Sequence, residues 1–344
     1  MRILLIGPFG EGLLAESYAR AFGQLGHEVI RFDSDQAYFE AAWYARNRWT
    51  RRLLRPVLWN RLNRRTVEVV RSRRPDLVWI GKGPYLHTET VHCLRSEEGL
   101  PVVNYYPDNP YCGVPLDPRK TSAQRRDLIP VLREYTRVYT WDKQLVKRLE
   151  SDGVHAAYVP FAADATVYRP MRAERCTECR SAPHAVVFVG QHDAKRQRDL
   201  GMIRAHQVGL WGARWRRAAR RFNGRHVIHA APAFGSACAL LYGAAEVSLN
   251  VVNDLNMPGH NMRTFEIPAS GGVMVSTYTA EQAEFFPEGE AAWYYRHPAD
   301  LDDIIGRLRR DKVLRERTRD AALRIAREHD YRQRAEAILA DIAA

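Results

Sequence analysis

The sequence predicts an α/β fold built from two consecutive parallel domains. Three observations lead there. Short apolar runs each empty into a glycine or polar loop, helix-periodic stretches separate the runs, and the chain is 344 residues long. At roughly 100–200 residues per domain, that length accommodates two hydrophobic cores. A composition 46% hydrophobic and 27% charged excludes a mainly disordered chain. No run approaches about 18 uninterrupted apolar residues, which excludes a helical membrane span.

Residues 1–7 (MRILLIG) read as a buried strand ending in a glycine-bearing loop over 7–12. Residues 13–25 carry apolar side chains at helical spacing and stop at Gly26, and 29–32 form a second strand reaching Asp33. Strand, loop, helix and strand make a βαβ unit, which implies a parallel sheet. The pattern recurs with strands at 76–81, 102–106, 137–141 and 155–159. A proline-flanked stretch, 159–170, reads as a linker, and 172–183 as polar and irregular. A second β-rich series then begins at 185–190 and continues at 207–211, 226–230, 245–251 and 272–275. Residues 301–344 are helical and densely charged. The expected domains are therefore 1–168 and 169–325, followed by a C-terminal helix over 326–344, with packing back onto the first domain as an option.

Lys and Arg outnumber Asp and Glu by 52 to 40, giving +12, so anionic partners are expected. Over 46–74, arginines interleave with Trp49, Trp59 and apolar residues, with Trp43 just before them and Glu68 as the single acid. That pattern suits an anionic membrane surface or an acidic acceptor, and equally a solvated helix face. A second cluster lies at 214–225. No recognised DNA- or RNA-binding module accompanies either, so nucleic acid is not the expected partner. The twelve opening residues are too short and glycine-broken for a secretory leader, and the cysteines (Cys93, Cys112, Cys176, Cys179, Cys238) are odd in number and scattered. A reduced, cytoplasmic protein is expected, with the inner membrane face as a peripheral location.

Chemistry concentrates in 250–275 (NVVNDLNMPGHNMRTFEIPASGGVMV). An apolar strand runs into a polar loop, a helix starts near 261–263, and Gly271 and Gly272 close it. Arg263 and Glu266 are three apart and share the first helical turn, offering a guanidinium for phosphate and a carboxylate for ribose hydroxyls. The helix N-terminus would add donors for a diphosphate. An ordinary surface Arg–Glu pair is the alternative.

The run Asn261-x-Arg263-x-Phe265-Glu266-Ile267-x-Ala269-x-Gly271-Gly272 resembles the donor-site motif of CgeB-like glycosyltransferases of the GT-B fold. Val187-Phe188-Val189-Gly190, Leu210-Trp211-Gly212 with Trp215, Leu241-Tyr242-Gly243, and Val167-Tyr168-Arg169-Pro170 agree in order, as do Pro75-Asp76-Leu77-Val78-Trp79 and Asp108-Asn109-Pro110 upstream. The resemblance implies two Rossmann-like domains facing a cleft, with a sugar nucleotide held mainly by the second. It implies that Glu266 binds ribose, that Arg263 and the Asn261 region approach the diphosphate, and that Gly190, Gly212, Gly271 and Gly272 admit donor or tight packing. Arg196 and Arg198 would neutralise the leaving diphosphate, since such enzymes generally work without a metal. No acid follows Glu266 through Ser276 in the E-x7-E manner of retaining enzymes, which leaves stereochemistry open.

Asp108, at the end of the strand over 102–106, is the candidate general base, with a turn as its plain reading. His87 and His260 are rival bases. Gly10, Gly12 and His260 would line the cleft. The loop over 7–12 matches G-x-G-x-x-G only loosely, so no dinucleotide cofactor is expected. Cys176-x-x-Cys179 with His184 nearby invites a zinc reading, but one such pair lacks the second that a structural site needs, so no metal is expected. The function read from the sequence is metal-independent sugar transfer from a nucleotide sugar to a hydroxyl. The alternative is a non-catalytic sugar-nucleotide-binding or coat-associated protein on the same fold.

Overall fold

The computed structural model describes residues 1–39, 54–112, 114–115, 125–171, 184–229 and 232–344. The basic stretch through residue 53, Cys176, Cys179 and the polar, irregular stretch 172–183 thus lie outside the described residues, whereas the linker 159–170 lies within them. The chain divides into two compact units, one comprising Met1–Pro160 with Arg334–Ala344, the other Phe161–Gln333.

In the first unit the strands are β1 (Arg2–Gly7), β2 (Glu28–Asp33), β3 (Leu77–Gly81), β4 (Val102–Tyr105), an antiparallel pair of two-residue strands β5 (Val114–Pro115) and β6 (Arg125–Arg126), β7 (Arg137–Thr140) and β8 (Ala156–Tyr158). Six of them form one sheet in the order β2-β1-β3-β4-β7-β8, every pair parallel. β1, β3 and β4 are apolar and buried almost throughout, because a parallel sheet is covered on both faces. One covering layer packs Leu62 and Val70 of the helix Arg55–Arg73 with Leu4, Ile6, Val78 and Ile80. On that helix Arg61, Arg64 and Arg65 are exposed, so the apolar stripe is spent inside. The helix Tyr331–Ala343 returns to this unit, where Asp341 accepts both Nε and Nη2 of Arg137 (2.8 and 3.0 Å) and the Tyr139 hydroxyl (2.9 Å).

The second unit contains β9 (Val186–Val189), β10 (Val208–Trp211), β11 (Val227–Ile228), β12 (Val247–Asn250), β13 (Met274–Thr277) and β14 (Trp293–Tyr295). Its sheet is again fully parallel, in the order β11-β10-β9-β12-β13-β14. Phe188, Leu210, Leu249 and Val275 join Trp215, Phe222, Ile305 and Leu308 in its core. Residues 161–168, which the sequence places with the N-terminal domain, lie in this unit. The Phe161 N–H donates to His260 Nε2, and Ala163 pairs with Asp330. The strand β14 is absent from the sequence reading.

Each sheet reverses its strand order once, between β1 and β3 and between β9 and β12. Crevices outside the carboxyl ends of strands at such points are where open parallel sheets take ligands.

Candidate functional site

The second unit builds its crevice from the loops after β9 and β12. Gly190 follows β9 directly. Its N–H donates to the Trp211 carbonyl (2.8 Å), and its carbonyl accepts from the buried Trp215 indole (2.7 Å). A Cβ on Gly190 would stand 3.0 Å from the Arg263 guanidinium. At Gly212, where φ is +142°, a Cβ would overlap the Gly190 carbonyl. Two backbone segments thus meet in space that no side chain can share.

Two arginines are anchored on this backbone. Arg263 opens the helix Arg263–Ala269 and donates Nε to the Val189 carbonyl at 2.6 Å. Arg196, in the first turn of the helix Ala194–Gly201, donates Nε to the Val251 carbonyl (3.1 Å) and Nη1 to the Gln191 carbonyl (3.0 Å), bridging the two loops. Asp193 caps that helix through the Arg196 N–H (2.8 Å) and lies 3.3 Å from the Arg196 guanidinium. Arg196 is only 5% exposed. Burial, and then the charge of Arg263, push its pKa down to about 10, so it remains a cation at neutral pH. Two guanidiniums held on fixed carbonyls in one crevice favour an anionic ligand, which would relieve their repulsion.

Glu266 sits one turn beyond Arg263 and is 6% exposed. Burial pushes its pKa up to about 7, against the pull of Arg263 and of a hydrogen bond from Tyr168. Burial likewise raises the Tyr168 phenol, with the Glu266 charge adding to it, and Tyr242 borders the same carboxyl. A carboxylate in such a dry wall accepts hydroxyl donors strongly once ionised.

Of the residues singled out in the sequence, the structure brings Gly190, Gly212, Arg196, Arg263 and Glu266 together. It places the others elsewhere. Arg198 is two residues from Arg196 on the same helix, hence on its other side, where it lines a cavity of about 360 Å³ with Lys195, Met257, Tyr278, Tyr295 and Arg296. Asn261 donates to the buried Asn250 Oδ1 (3.0 Å) and accepts from the Thr264 N–H (3.3 Å), bracing the start of the helix. His260 is fully buried, with Nδ1 2.9 Å from Glu281 and Nε2 accepting from Phe161. Gly271, at φ +75°, turns the chain after the helix, and a Cβ on Gly272 would press on Ile267 and the Tyr242 carbonyl. The helix itself has only seven residues, so its N-terminus adds little to the two side-chain charges. Tyr168, Tyr242 and Trp215 were visible in the sequence only as motif companions.

In the first unit, Gly10 and Gly12 lie in the loop after β1, where the Leu13 N–H donates to the Gly10 carbonyl and Gly12 has φ +80°. Lys82 follows β3 with φ +63°, and its ammonium is 2.5 Å from Asp108 in the loop after β4. The Asp108 side chain is 54% exposed, while Asn109 Oδ1 caps the Tyr111 N–H in an Asx turn. His87 donates its N–H to Asn63 and heads the helix Thr88–His92. Among the described residues no group of three or more His, Cys, Asp or Glu is placed to hold a metal, and no helix is long and apolar enough to cross a membrane.

Residues 192–340 match a family described as glycosyl transferase-like, a span that contains Arg196, Arg263 and Glu266. Solved structures with the same fold include sucrose-phosphate synthase from Thermosynechococcus elongatus, at TM-score 0.70 and 12% identity over 98% of this chain and 97% of that one. HepE from Anabaena, solved with UDP, aligns at TM-score 0.63 and 13% identity over all of both chains, and was also solved with UDP-glucose. The α,α-trehalose 6-phosphate synthase of Burkholderia multivorans aligns at 0.64 and 14% over 99% and 98%. At such identities the likeness establishes the fold, which is GT-B. No curated protein sequence matches the chain.

Proposed function

We propose that the protein transfers a sugar from a nucleotide-sugar donor to a hydroxyl-bearing acceptor, without a catalytic metal. The observation that carries this reading is the convergence of Arg196 and Arg263 on the switch-point carbonyls with buried Glu266 one turn away. In this reading the guanidiniums hold the diphosphate and stabilise it as it departs, the task a metal performs elsewhere. The Glu266 carboxylate accepts the ribose hydroxyls. Asp108 takes the acceptor proton, and Lys82 beside it supports the ionised carboxylate. The family match over the donor-side residues supports sugar transfer, and HepE, which was solved with UDP and UDP-glucose, makes a uridine donor the first to test. The motif over 261–272 supports a CgeB-like member of the fold. A cytoplasmic location, with the exposed arginines of the helix Arg55–Arg73 against an anionic membrane, belongs to the same proposal.

A thermal-shift screen against UDP, GDP, dTDP, ADP and CMP, with and without magnesium, tests the donor site. A ligand at about 100 times its Kd adds about 2.7 kcal/mol, which raises Tm by about 2–4 °C in a chain of this size. A shift from one nucleoside diphosphate that needs no magnesium supports the proposal. No shift from any of them overturns it.

A further inference from the structure

The basic run Lys195-Arg196-Gln197-Arg198 is divided by its own helix. Residues three and four apart share a face of Ala194–Gly201, so Lys195, Arg198 and Asp199 go one way while Arg196 turns into the donor crevice. That second face lines the cavity of about 360 Å³, opposite Met257, Tyr278 and Arg296 at the ends of neighbouring loops and strands. Three cations thus meet one carboxylate in a space of the size that holds small molecules.

The floor of this cavity is fixed. The Asp199 side chain is 2% exposed, and one of its oxygens takes both the Lys195 ammonium (2.8 Å) and the Tyr295 hydroxyl (3.0 Å). The same ammonium reaches the Thr277 hydroxyl at 3.4 Å, so it is held in place before any ligand arrives. Arg296 lies over the Tyr278 ring at 3.9 Å, with its Nη groups on Glu288 (3.0 and 2.9 Å), an exposed pair that water screens. Arg198 is different. Its Nε stands 3.5 Å from Asp199, and its Nη groups have no hydrogen-bond partner among the described residues.

We propose that this cavity is a second anion site, which binds a small phosphate monoester. Arg198 gives its two Nη groups to the phosphate, in the paired geometry that guanidinium and phosphate oxygens share. Lys195 adds the ammonium proton that Asp199 and Thr277 leave over, and Arg296 adds charge from the far wall. The organic part of the ester rests against Met257, Tyr278 and Pro298. The site lies on the opposite face of the helix from Arg196 and does not depend on the proposed sugar transfer.

The test is calorimetric titration of the full chain with phenyl phosphate and with orthophosphate, repeated on R198Q and R263M. The Arg198 side chain is 67% exposed, so R198Q should fold as the wild type does. One phenyl phosphate per chain is expected, bound at least tenfold more weakly by R198Q and within twofold of wild type by R263M. Orthophosphate should bind at least tenfold more weakly than phenyl phosphate. No binding by the wild-type chain overturns the proposal, as does unchanged affinity in R198Q. A loss in R263M would place the anion in the donor crevice and overturn it too. Equal affinity for the two probes would overturn the assignment to an ester.

Discussion

The Tyr168 hydroxyl donates a hydrogen bond to the Glu266 carboxyl across 98 residues of sequence, inside a wall that leaves the acid 6% exposed. Burial nevertheless dominates and lifts Glu266 from 4.5 to about 7. The acid binds its proton more tightly folded than unfolded. Stability is therefore fully present below about pH 4.5 and falls as pH rises through about 7, by about 3 kcal/mol at most. Glu266→Gln should flatten that fall in urea melts taken across this range.

The same ionisation should govern donor binding. If the carboxylate receives ribose hydroxyls, affinity for the nucleoside diphosphate rises by about tenfold between about pH 6 and pH 8. Calorimetric titrations of Glu266→Gln should show weaker binding and no such rise.

Arg263 and Arg196 share one anion in the proposed site. Arg263→Met should weaken nucleoside-diphosphate binding by about 10–100-fold, the loss of a charged hydrogen-bond pair. The ligand-free melting temperature should change little, since the repulsion on Arg196 disappears with the Val189 contact. Equal affinity in the variant would remove Arg263 from the site.

Asp108 is exposed enough that its loss should leave folding intact, an exposed pair with Lys82 contributing about 0–1 kcal/mol. Asp108→Asn should lower kcat by about 100-fold or more with donor affinity unchanged. Wild-type turnover in that variant would exclude the general-base role.

Gly212→Val places a branched side chain at φ +142° against the Gly190 carbonyl. A loss of several kcal/mol is expected, of the order seen for strained backbone combined with overpacking. Chemical denaturation would measure it, and a neutral result would mean that the two loops do not meet.

Both sheets were legible because parallel strands buried on two faces are written as plain apolar runs, and the runs over 1–7 and 185–190 differ from β1 and β9 by no more than one residue at either end. The strand β14 escaped because Trp-Tyr-Tyr is only three residues long. In the site, Arg263 with Glu266 was readable from a spacing of three. Arg196 and Arg198 were not separable until a helix beginning at Ala194 set them on opposite sides. Tyr168 was out of reach, because nothing local in a linker announces which buried acid it meets. His260 looked available in the sequence because only the fold reveals that Phe161 and Glu281 occupy its two nitrogens.

The return of residues 334–344 to the first unit bears on the order in which the protein is made. A ribosome releases the strands of that unit early, yet the Asp341 carboxylate that receives Arg137 and Tyr139 leaves the tunnel only after the whole second unit. Until then Tyr139 and its neighbours on β7 wait without their cover. Nascent chains halted before residue 334 should accordingly be protease-sensitive and chaperone-dependent in their first unit, which gains this layer only after the second unit has been made.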